Sequence, residues 1–174
     1  MKIVLLGYMA SGKSSIGKAL AKKLNIQFTD LDSFIEENEE QSISEIFNNK
    51  GEVYFRNKEG FYLRKLFNID GNSVISLGWG TPCYGKNMES ILNESTSFYL
   101  NSSIQTIFER LKKETLQRPL VATIGQDKLK EYIAKHLFER TVYYEKAHHS
   151  ISANDKEIEV IVEEIFNLFK KELK

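Results

Sequence analysis

The sequence predicts one α/β domain built on a parallel β-sheet, on three observations. The chain has 174 residues, and domains commonly contain roughly 100–200. Short apolar runs rich in branched residues alternate with longer segments of helical periodicity, which implies strands joined by right-handed helical crossovers. The first apolar run, residues 2–6, is uninterrupted and leads into a glycine-rich motif. Such a run is typical of a central strand covered on both faces.

The elements follow from the order of these patterns. Strands are predicted at residues 2–6, 26–28, 73–77, 96–100 and 149–152, the third being followed by Gly78, Gly80 and Pro82. Helices are predicted at residues 13–24, 32–38, 42–49, 52–67, 104–113, 127–144 and 156–173. The helix at 42–49 begins with Ser-x-x-Glu, the capping-box pattern. Residues 113–126 lack a clear period, so we expect them to form a mobile loop.

Composition narrows the possible partners. The chain has 24 basic and 24 acidic residues, which give a formal charge of zero. A balanced chain is a poor candidate for bulk binding to nucleic acid or to an anionic membrane, so an anion site must be local. No run approaches the roughly 20 apolar residues of a membrane span, and no secretory signal is present at the N-terminus. The single cysteine, Cys83, is consistent with the reducing cytoplasm.

Residues 7–14 fit G-x-x-x-x-G-K-[ST] in full, between a predicted strand and a predicted helix. Glycines let backbone amides approach phosphate oxygens, and the start of the helix adds free amides and a partial positive charge. Lys13 would reach the outer phosphates, and the Ser14 hydroxyl would hold Mg²⁺. The motif predicts a nucleoside triphosphate, but it does not say which acceptor is used.

Acidic and basic side chains further along the chain have two interpretations each. Asp30 and Asp32 would point to the same side if they both lay in a strand, and could serve a metal and an acceptor hydroxyl. The alternative is a pair of helix caps. Arg56 and Arg140 are either surface ion pairs or, if they converge, a clamp for a carboxylate. Arg118 is either a solvated loop charge or an arginine finger.

With these residues in view, the chain resembles the shikimate kinases, P-loop small-molecule kinases of the nucleoside-monophosphate-kinase-like group. The resemblance covers nearly the whole chain. It is carried by the phosphate motif at 7–14, D-x-D at 30–32, G-E-x-x-F-R at 51–56, L-G-W-G at 77–80, R-P-L at 118–120 and R-x-x-x-Y at 140–144. It implies a three-layer α/β/α fold with a five-stranded parallel sheet in the order 2-3-1-4-5. An acceptor-binding region would lie at about 32–60, and a flexible lid at about 113–126.

The resemblance also implies a role for each matching residue, in transfer of the γ-phosphate of ATP to the 3-hydroxyl of shikimate. Catalytic roles fall to Lys13, Asp32 (the candidate base) and Arg118. Mg²⁺ would be held by Ser14 and Asp30. ATP would be bound by Gly7, Ala10, Ser11, Gly12, Lys13, Ser14, Ser15, Arg110, Arg118 and Asn154. Shikimate would be bound by Asp32, Phe47, Phe55, Arg56, Gly78, Trp79, Gly80 and Arg140. We expect a cytoplasmic monomer that binds ATP and shikimate and neither nucleic acid nor membrane.

One position departs from the family pattern. Where the family has three consecutive glycines after the third strand, this chain has Trp79 in the middle. Tryptophan adds volume and resists the positive φ angles that glycine accepts. We expect the indole to point outward, leaving only the amide toward the ligand. Two alternatives remain open at this point: another small-acid P-loop kinase such as gluconate kinase, and a non-catalytic nucleotide- or shikimate-binding protein impaired at Trp79.

Overall fold

The computed structural model describes residues 1–113 and 124–172. The strands are β1 (Lys2–Leu6), β2 (Gln27–Asp30), β3 (Ser73–Ser76), β4 (Thr96–Asn101) and β5 (His149–Ser152). The helices are α1 (Lys13–Leu24), α2 (Leu31–Glu39), α3 (Ile43–Asn68), α4 (Asn87–Glu94), α5 (Ile104–Lys113), α6 (Gln126–Tyr144) and α7 (Ile158–Glu172). A single 3₁₀ turn, Thr81–Cys83, lies between β3 and α4.

All five strands are parallel and lie in the order β2-β3-β1-β4-β5. The predicted fold class and strand order are therefore confirmed. Strand β1 lies at the centre, and the side chains from Ile3 to Leu6 are fully buried. Because neighbouring residues of a strand point to opposite faces, β1 contributes to both sides of the sheet, as its uninterrupted apolar run predicts.

Two hydrophobic cores cover the two faces of the sheet. On one face, Ile3 and Leu5 pack with apolar residues of α1 and α7. On the other face, Val4 and Leu6 join a larger core formed with α2 to α6. Full burial of a side chain of this size contributes roughly 1.5–3 kcal/mol to folding, so the two cores hold the layers together. The helices on the two faces and the sheet between them form the three layers.

The two helices predicted at residues 42–49 and 52–67 are both present, and together they form the segment α3. Helix α3 covers residues 43–68 and is broken at Gly51, whose φ of 81° and ψ of 171° are not helical. The start of α3 is as predicted: Ser42 Oγ accepts from the Glu45 amide at 3.2 Å, and the Ser42 amide donates to Glu45 Oε2 at 2.8 Å. The non-helical backbone of Gly51 therefore separates two helical segments, as the sequence predicts.

Helix α4 was not predicted. Its apolar residues Met88 and Ile91 are buried, but Lys86 precedes it without a side-chain cap. The segment is eight residues long and thus carries neither a start signal nor a long periodic pattern. No helix within the described part of the chain is long and apolar enough to span a membrane.

Candidate active site

The loop after β1 wraps around the start of α1. Gly7 has a φ of 145°, and a Cβ at this position would lie 2.8 Å from the Leu100 carbonyl oxygen, so a side chain is excluded there. Gly12 has a φ of 94° and immediately precedes α1. Lys13 Nζ donates to the carbonyl oxygens of Gly7 and Tyr8, each at 2.9 Å. The loop therefore turns the first amides of α1 and the ammonium of Lys13 toward the same region, which favours an anion.

A cavity of about 460 Å³ opens beside this loop at the carboxyl ends of the strands. Ligands of open α/β sheets bind at this edge. The cavity is lined by Met9, Ala10, Ser11, Gly12, Lys13, Ser14, Ser15, Ile16, Asp30, Asp32, Ser76, Leu77, Gly78, Trp79, Arg110, Lys156, Ile158 and Ile161. It therefore brings together most of the residues predicted for ATP, both aspartates and part of the glycine turn. Gly7 shapes the loop but does not line the cavity.

Asp30 joins the phosphate loop to α2. Its Oδ1 accepts from the amides of Asp32 and Ser33 at 3.1 and 3.5 Å, so it caps the helix, while its Oδ2 accepts from Ser14 Oγ at 2.8 Å. Of the two interpretations left open for this pair, the helix cap is the one observed at Asp30, because β2 ends at Asp30 and Asp32 lies in the first turn of α2, within the helix predicted from residue 32. Asp30 thus acts as a helix cap and is also a cavity residue.

Asp32 lies where negative charge is concentrated. Burial raises its pKa, the carboxylates of Asp30 and Glu59 raise it further, and Lys13 opposes them, so that the pKa of Asp32 is about 7. A carboxyl group in this environment holds a proton more tightly than an exposed aspartate does. It is therefore suited to exchange a proton near neutral pH.

In the turn after β3, glycine is required at two positions because neighbouring side chains come close, and not because of unusual backbone angles. None of Gly78, Trp79 and Gly80 has a positive φ, so the tryptophan is not strained by its position. A Cβ at Gly78 would lie 2.8 Å from Asp32 Oδ1, and one at Gly80 would lie 2.7 Å from Arg56 Nη1. The two glycines therefore let functional side chains approach the backbone, whereas the middle position has room for a side chain.

Arg56 is held against Gly80 by acidic partners. Its Nη1 donates to Glu59 Oε2 at 2.9 Å, and its Nε lies 3.3 Å from Glu52 Oε1. Its guanidinium carbon also lies 4.0 Å from the centre of the Tyr84 ring. These contacts position the guanidinium at the edge of the turn.

Glu59 was missed in the sequence analysis. It is buried, accepts from Thr81 Oγ1 at 2.6 Å, and pairs with Arg56. Burial raises the pKa of Glu59, while Arg56 and Thr81 oppose that rise. The signal was the spacing: Arg56 and Glu59 are three residues apart on one helix and therefore lie on the same face.

Arg140 approaches the same turn from α6. Its guanidinium carbon lies 4.3 Å from the centre of the Trp79 ring, and its Nη1 donates to the His136 carbonyl at 3.3 Å. Arg56 contacts Gly80 and Arg140 contacts Trp79, so the two guanidinium groups meet adjacent residues of one turn. The structure therefore brings both arginines to one turn, as a carboxylate clamp would need, although neither is among the residues that line the cavity.

The expected outward orientation of Trp79 is wrong. Its indole is half-buried and packs against the larger core, and Trp79 is one of the residues that line the cavity. The ring centres of Tyr8 and Trp79 are 5.4 Å apart in an edge-to-face arrangement, and the His136 ring stacks on the indole with its centre 6.1 Å away. The sequence held no signal for Tyr8 and His136, which are 128 positions apart.

Other predicted residues lie around these groups. Phe47 and Phe55 have ring centres 4.7 Å apart, and they lie outside the cavity lining. Arg110 bridges the phosphate loop and the turn after β5 by donating to the carbonyl oxygens of Ala10 and Ala153, each at 3.0 Å. Asn154 is not part of the lining, and its Oδ1 accepts from the Ser103 amide at 2.7 Å.

The predicted lid was placed at residues 113–126, and most of it, including Arg118, lies outside the described residues. Among the residues that the structure describes, no group of three or more His, Cys, Asp or Glu side chains could hold a metal ion. The Ser14–Asp30 pair is compatible with Mg²⁺, because this ion commonly uses one or two protein oxygens together with substrate phosphates and water.

Comparisons with known proteins place this geometry in a family. The family model described as shikimate kinase matches residues 9–170. A shikimate kinase of Flavobacterium psychrophilum is 45% identical over 168 residues, which cover 96% of this chain and 98% of the relative. A solved shikimate kinase of Bacteroides thetaiotaomicron superposes with a TM-score of 0.91 at 34% identity, covering 98% of each chain. A shikimate kinase of Acinetobacter baumannii in complex with shikimate gives a TM-score of 0.87 at 27% identity, covering 98% of this chain and 93% of that one. On these matches, together with the phosphate loop and the converging arginines, the chain belongs to the shikimate kinase family.

Proposed function

We propose that this protein transfers the γ-phosphate of ATP to the 3-hydroxyl of shikimate. One observation carries the proposal: the phosphate loop and Asp32 line one cavity, and Arg56 and Arg140 contact adjacent residues of the turn beside it. A triphosphate and an acidic alcohol would then meet in a single site. Family membership favours shikimate over gluconate as the acceptor.

The donor half of the site binds the triphosphate. The amides at the start of α1 and the ammonium of Lys13 would surround the phosphates, and Lys13 would neutralise charge that develops during transfer. Ser14 and Asp30 would hold Mg²⁺, which when bound would offset the negative charge of the phosphates. Arg110 would support the adenine beside the turn that carries Asn154, because it already ties the loop to Ala153.

The acceptor half orients the alcohol. Arg56 and Arg140 would bind the carboxylate of shikimate, since guanidinium groups match carboxylates in charge and geometry. Asp32 would orient the reacting hydroxyl and accept its proton. Gly78 and Gly80 leave room for these side chains, and Phe47 with Phe55 would provide the apolar floor of the ring pocket. Arg118 is proposed to stabilise transferred charge in the transition state.

We also propose that the enzyme is cytoplasmic and acts as a monomer. Every residue given a role lies in one chain, so a second copy is not needed to complete the site. The single cysteine is compatible with a reducing compartment.

The proposed function is tested by measuring ADP release with Mg²⁺ and ATP, with and without shikimate. We expect ADP release to require shikimate, to stop when the metal is chelated, and to be weak with gluconate. The Lys13→Met variant is the control for background ATPase activity. ATP binding without shikimate-dependent ADP release would instead favour the non-catalytic alternative, and a preference for gluconate would favour the other kinase.

A further inference from the structure

The two arginines of the acceptor half are anchored in different ways. Arg56 has a hydrogen-bonded, buried carboxylate partner in Glu59 and a second carboxylate in Glu52. Among the residues that the structure describes, the carboxylate beside Arg140 is that of Glu139, at 3.7 Å and half exposed, and Arg140 Nη1 also donates to the His136 carbonyl oxygen at 3.3 Å. Within the described part of the chain, the buried Nε of Arg140 has no hydrogen-bond partner. Hydrogen bonds and ion pairs therefore hold the side chain of Arg140 less firmly than that of Arg56.

The indole of Trp79 provides the support that polar contacts do not. The guanidinium of Arg140 lies over the indole at 4.3 Å, within the roughly 6 Å range of a cation–π interaction. Tryptophan is the aromatic residue that binds cations best in this way. The guanidinium is also largely removed from water, with 13% of the Arg140 side chain exposed, which strengthens such a contact.

The indole is itself held in place from several directions. The edge of the Tyr8 ring packs against it, and the His136 ring stacks on it. The hydroxyl of Tyr144 donates to the carbonyl oxygen of Trp79, which anchors the backbone of the turn to α6. Because both the ring and the backbone of Trp79 are held in place, the indole can in turn hold the guanidinium of Arg140 in position.

We propose that Trp79 is a positioning residue for acceptor binding: its indole holds the guanidinium of Arg140 where it meets the carboxylate of the acceptor. The inference rests on the proposed function, because it takes Arg140 as a ligand of that carboxylate. Trp79 then replaces the compact glycine turn of the family with an aromatic support, and its role is to strengthen acceptor binding. Trp79 itself is not required for phosphoryl transfer.

The first test measures KM and kcat for both substrates in Trp79→Ala and Trp79→Phe. We expect Trp79→Ala to raise the KM for shikimate about tenfold, while kcat and the KM for ATP stay within about twofold. Trp79→Phe keeps a ring under the cation and should restore most of the affinity. Phe166→Ala is the matched control, because Lys170 lies 4.4 Å from the Phe166 ring outside the cavity, and it should change neither KM.

The second test asks whether Trp79 acts through Arg140. Shikimate affinity is measured by calorimetry in Trp79→Ala, Arg140→Met and the double variant, with the unfolding temperature of each recorded. We expect the two effects to overlap, so that Trp79→Ala weakens binding less than twofold once Arg140 is absent. Fully additive effects, or an unchanged shikimate KM in Trp79→Ala, would overturn the inference.

The proposed function fails in a different way. The proposed function fails if the unaltered protein releases no ADP in response to shikimate. The inference about Trp79 fails if the unaltered protein is active but the variants show additive effects or an unchanged KM for shikimate. If Trp79→Ala does not fold, Trp79→Phe and Trp79→Leu decide the matter. Leucine fills similar space without a π-face, so equal shikimate affinity in the two variants would contradict the inference.

Discussion

The half of the site that faces the triphosphate and the half that faces the acceptor are built in different ways. The donor half comes mainly from one continuous segment, residues 7–15, which works largely through its backbone. The acceptor half is assembled from α2, α3, the turn after β3 and α6, and it works through side chains. Its arginines contact other side chains of the site: Glu59 pairs with Arg56, and Arg140 lies over the ring of Trp79. The acceptor half should therefore be the more sensitive to substitutions that do not touch substrate.

The largest effect should come from Asp32→Asn, which removes the candidate base while keeping its size. We expect kcat to fall by roughly 10²–10⁴-fold, the range typical of general acid–base catalysis. ATP affinity should stay close to normal, because the donor half is intact. The measurement is steady-state ADP release at saturating shikimate, with nucleotide binding by calorimetry. Near-normal turnover would show that Asp32 is not the base.

A substitution at Gly80, which lies beside Arg56, should affect binding of the acceptor without affecting binding of ATP. In Gly80→Ala the new methyl group would lie 2.7 Å from Arg56 Nη1 and would displace that guanidinium. We expect the KM for shikimate to rise roughly tenfold, a loss of about 1.4 kcal/mol of binding, while the KM for ATP stays unchanged. Both constants are measured in the same coupled assay. An equal rise in the KM for shikimate and in the KM for ATP would mean that the turn supports binding of both substrates.

A third prediction concerns Glu39, whose contacts between α2 and α3 stabilise the helices that carry the acceptor residues. This carboxylate joins α2 to α3: it accepts from the hydroxyls of Tyr54 and Tyr62 at 2.6 and 2.7 Å and pairs with Lys58 at 2.7 Å. Burial acts to raise its pKa, but the hydrogen bonds from Lys58, Tyr54 and Tyr62 outweigh that effect and lower the pKa to about 2.

Because the pKa of Glu39 falls on folding, its stabilising contribution is present above pH 4.5, the ordinary value, and is lost as pH falls toward 2. Glu39→Gln should lower the free energy of unfolding by roughly 2 kcal/mol at pH 7. The difference from the unaltered protein should shrink in acid. Urea unfolding at pH 7 and at pH 3 measures it. A difference that did not depend on pH would assign the effect to packing alone.

The smallest effect should come from the donor half, at Ala10. This residue has a φ of 57°, a left-handed conformation that costs a non-glycine residue about 1 kcal/mol. Ala10→Gly relieves the strain. However, glycine gives the unfolded chain more conformational freedom, which lowers the free energy of unfolding by roughly 0.4–1 kcal/mol. We expect a change in stability below about 1 kcal/mol and a KM for ATP within twofold. A large loss of ATP affinity would show that the methyl group at Ala10 helps to order the loop.

The features that the sequence predicted best depend on neighbouring residues. The apolar run of β1, the capping box at Ser42 and the spacing of the phosphate motif each carry their structural signal within a few residues. Helix α4 was missed because it is short and uncapped. Of the two interpretations open for Asp30, the sequence could not show that it caps α2, which the structure does. The role of Glu59 could have been inferred from its spacing to Arg56, but its burial beside Gly78 could not.

Local spacing was thus sufficient to specify the phosphate loop and its triphosphate chemistry, whereas the strand order was implied by the resemblance to the family. Only packing brings Arg56 and Arg140 to neighbouring residues of one turn, packs the indole of Trp79 against the core, and places Asp32 where burial and nearby carboxylates raise its pKa. The reason is physical. Backbone geometry depends on nearby residues, whereas burial and the approach of charges depend on elements that the chain brings together only after folding.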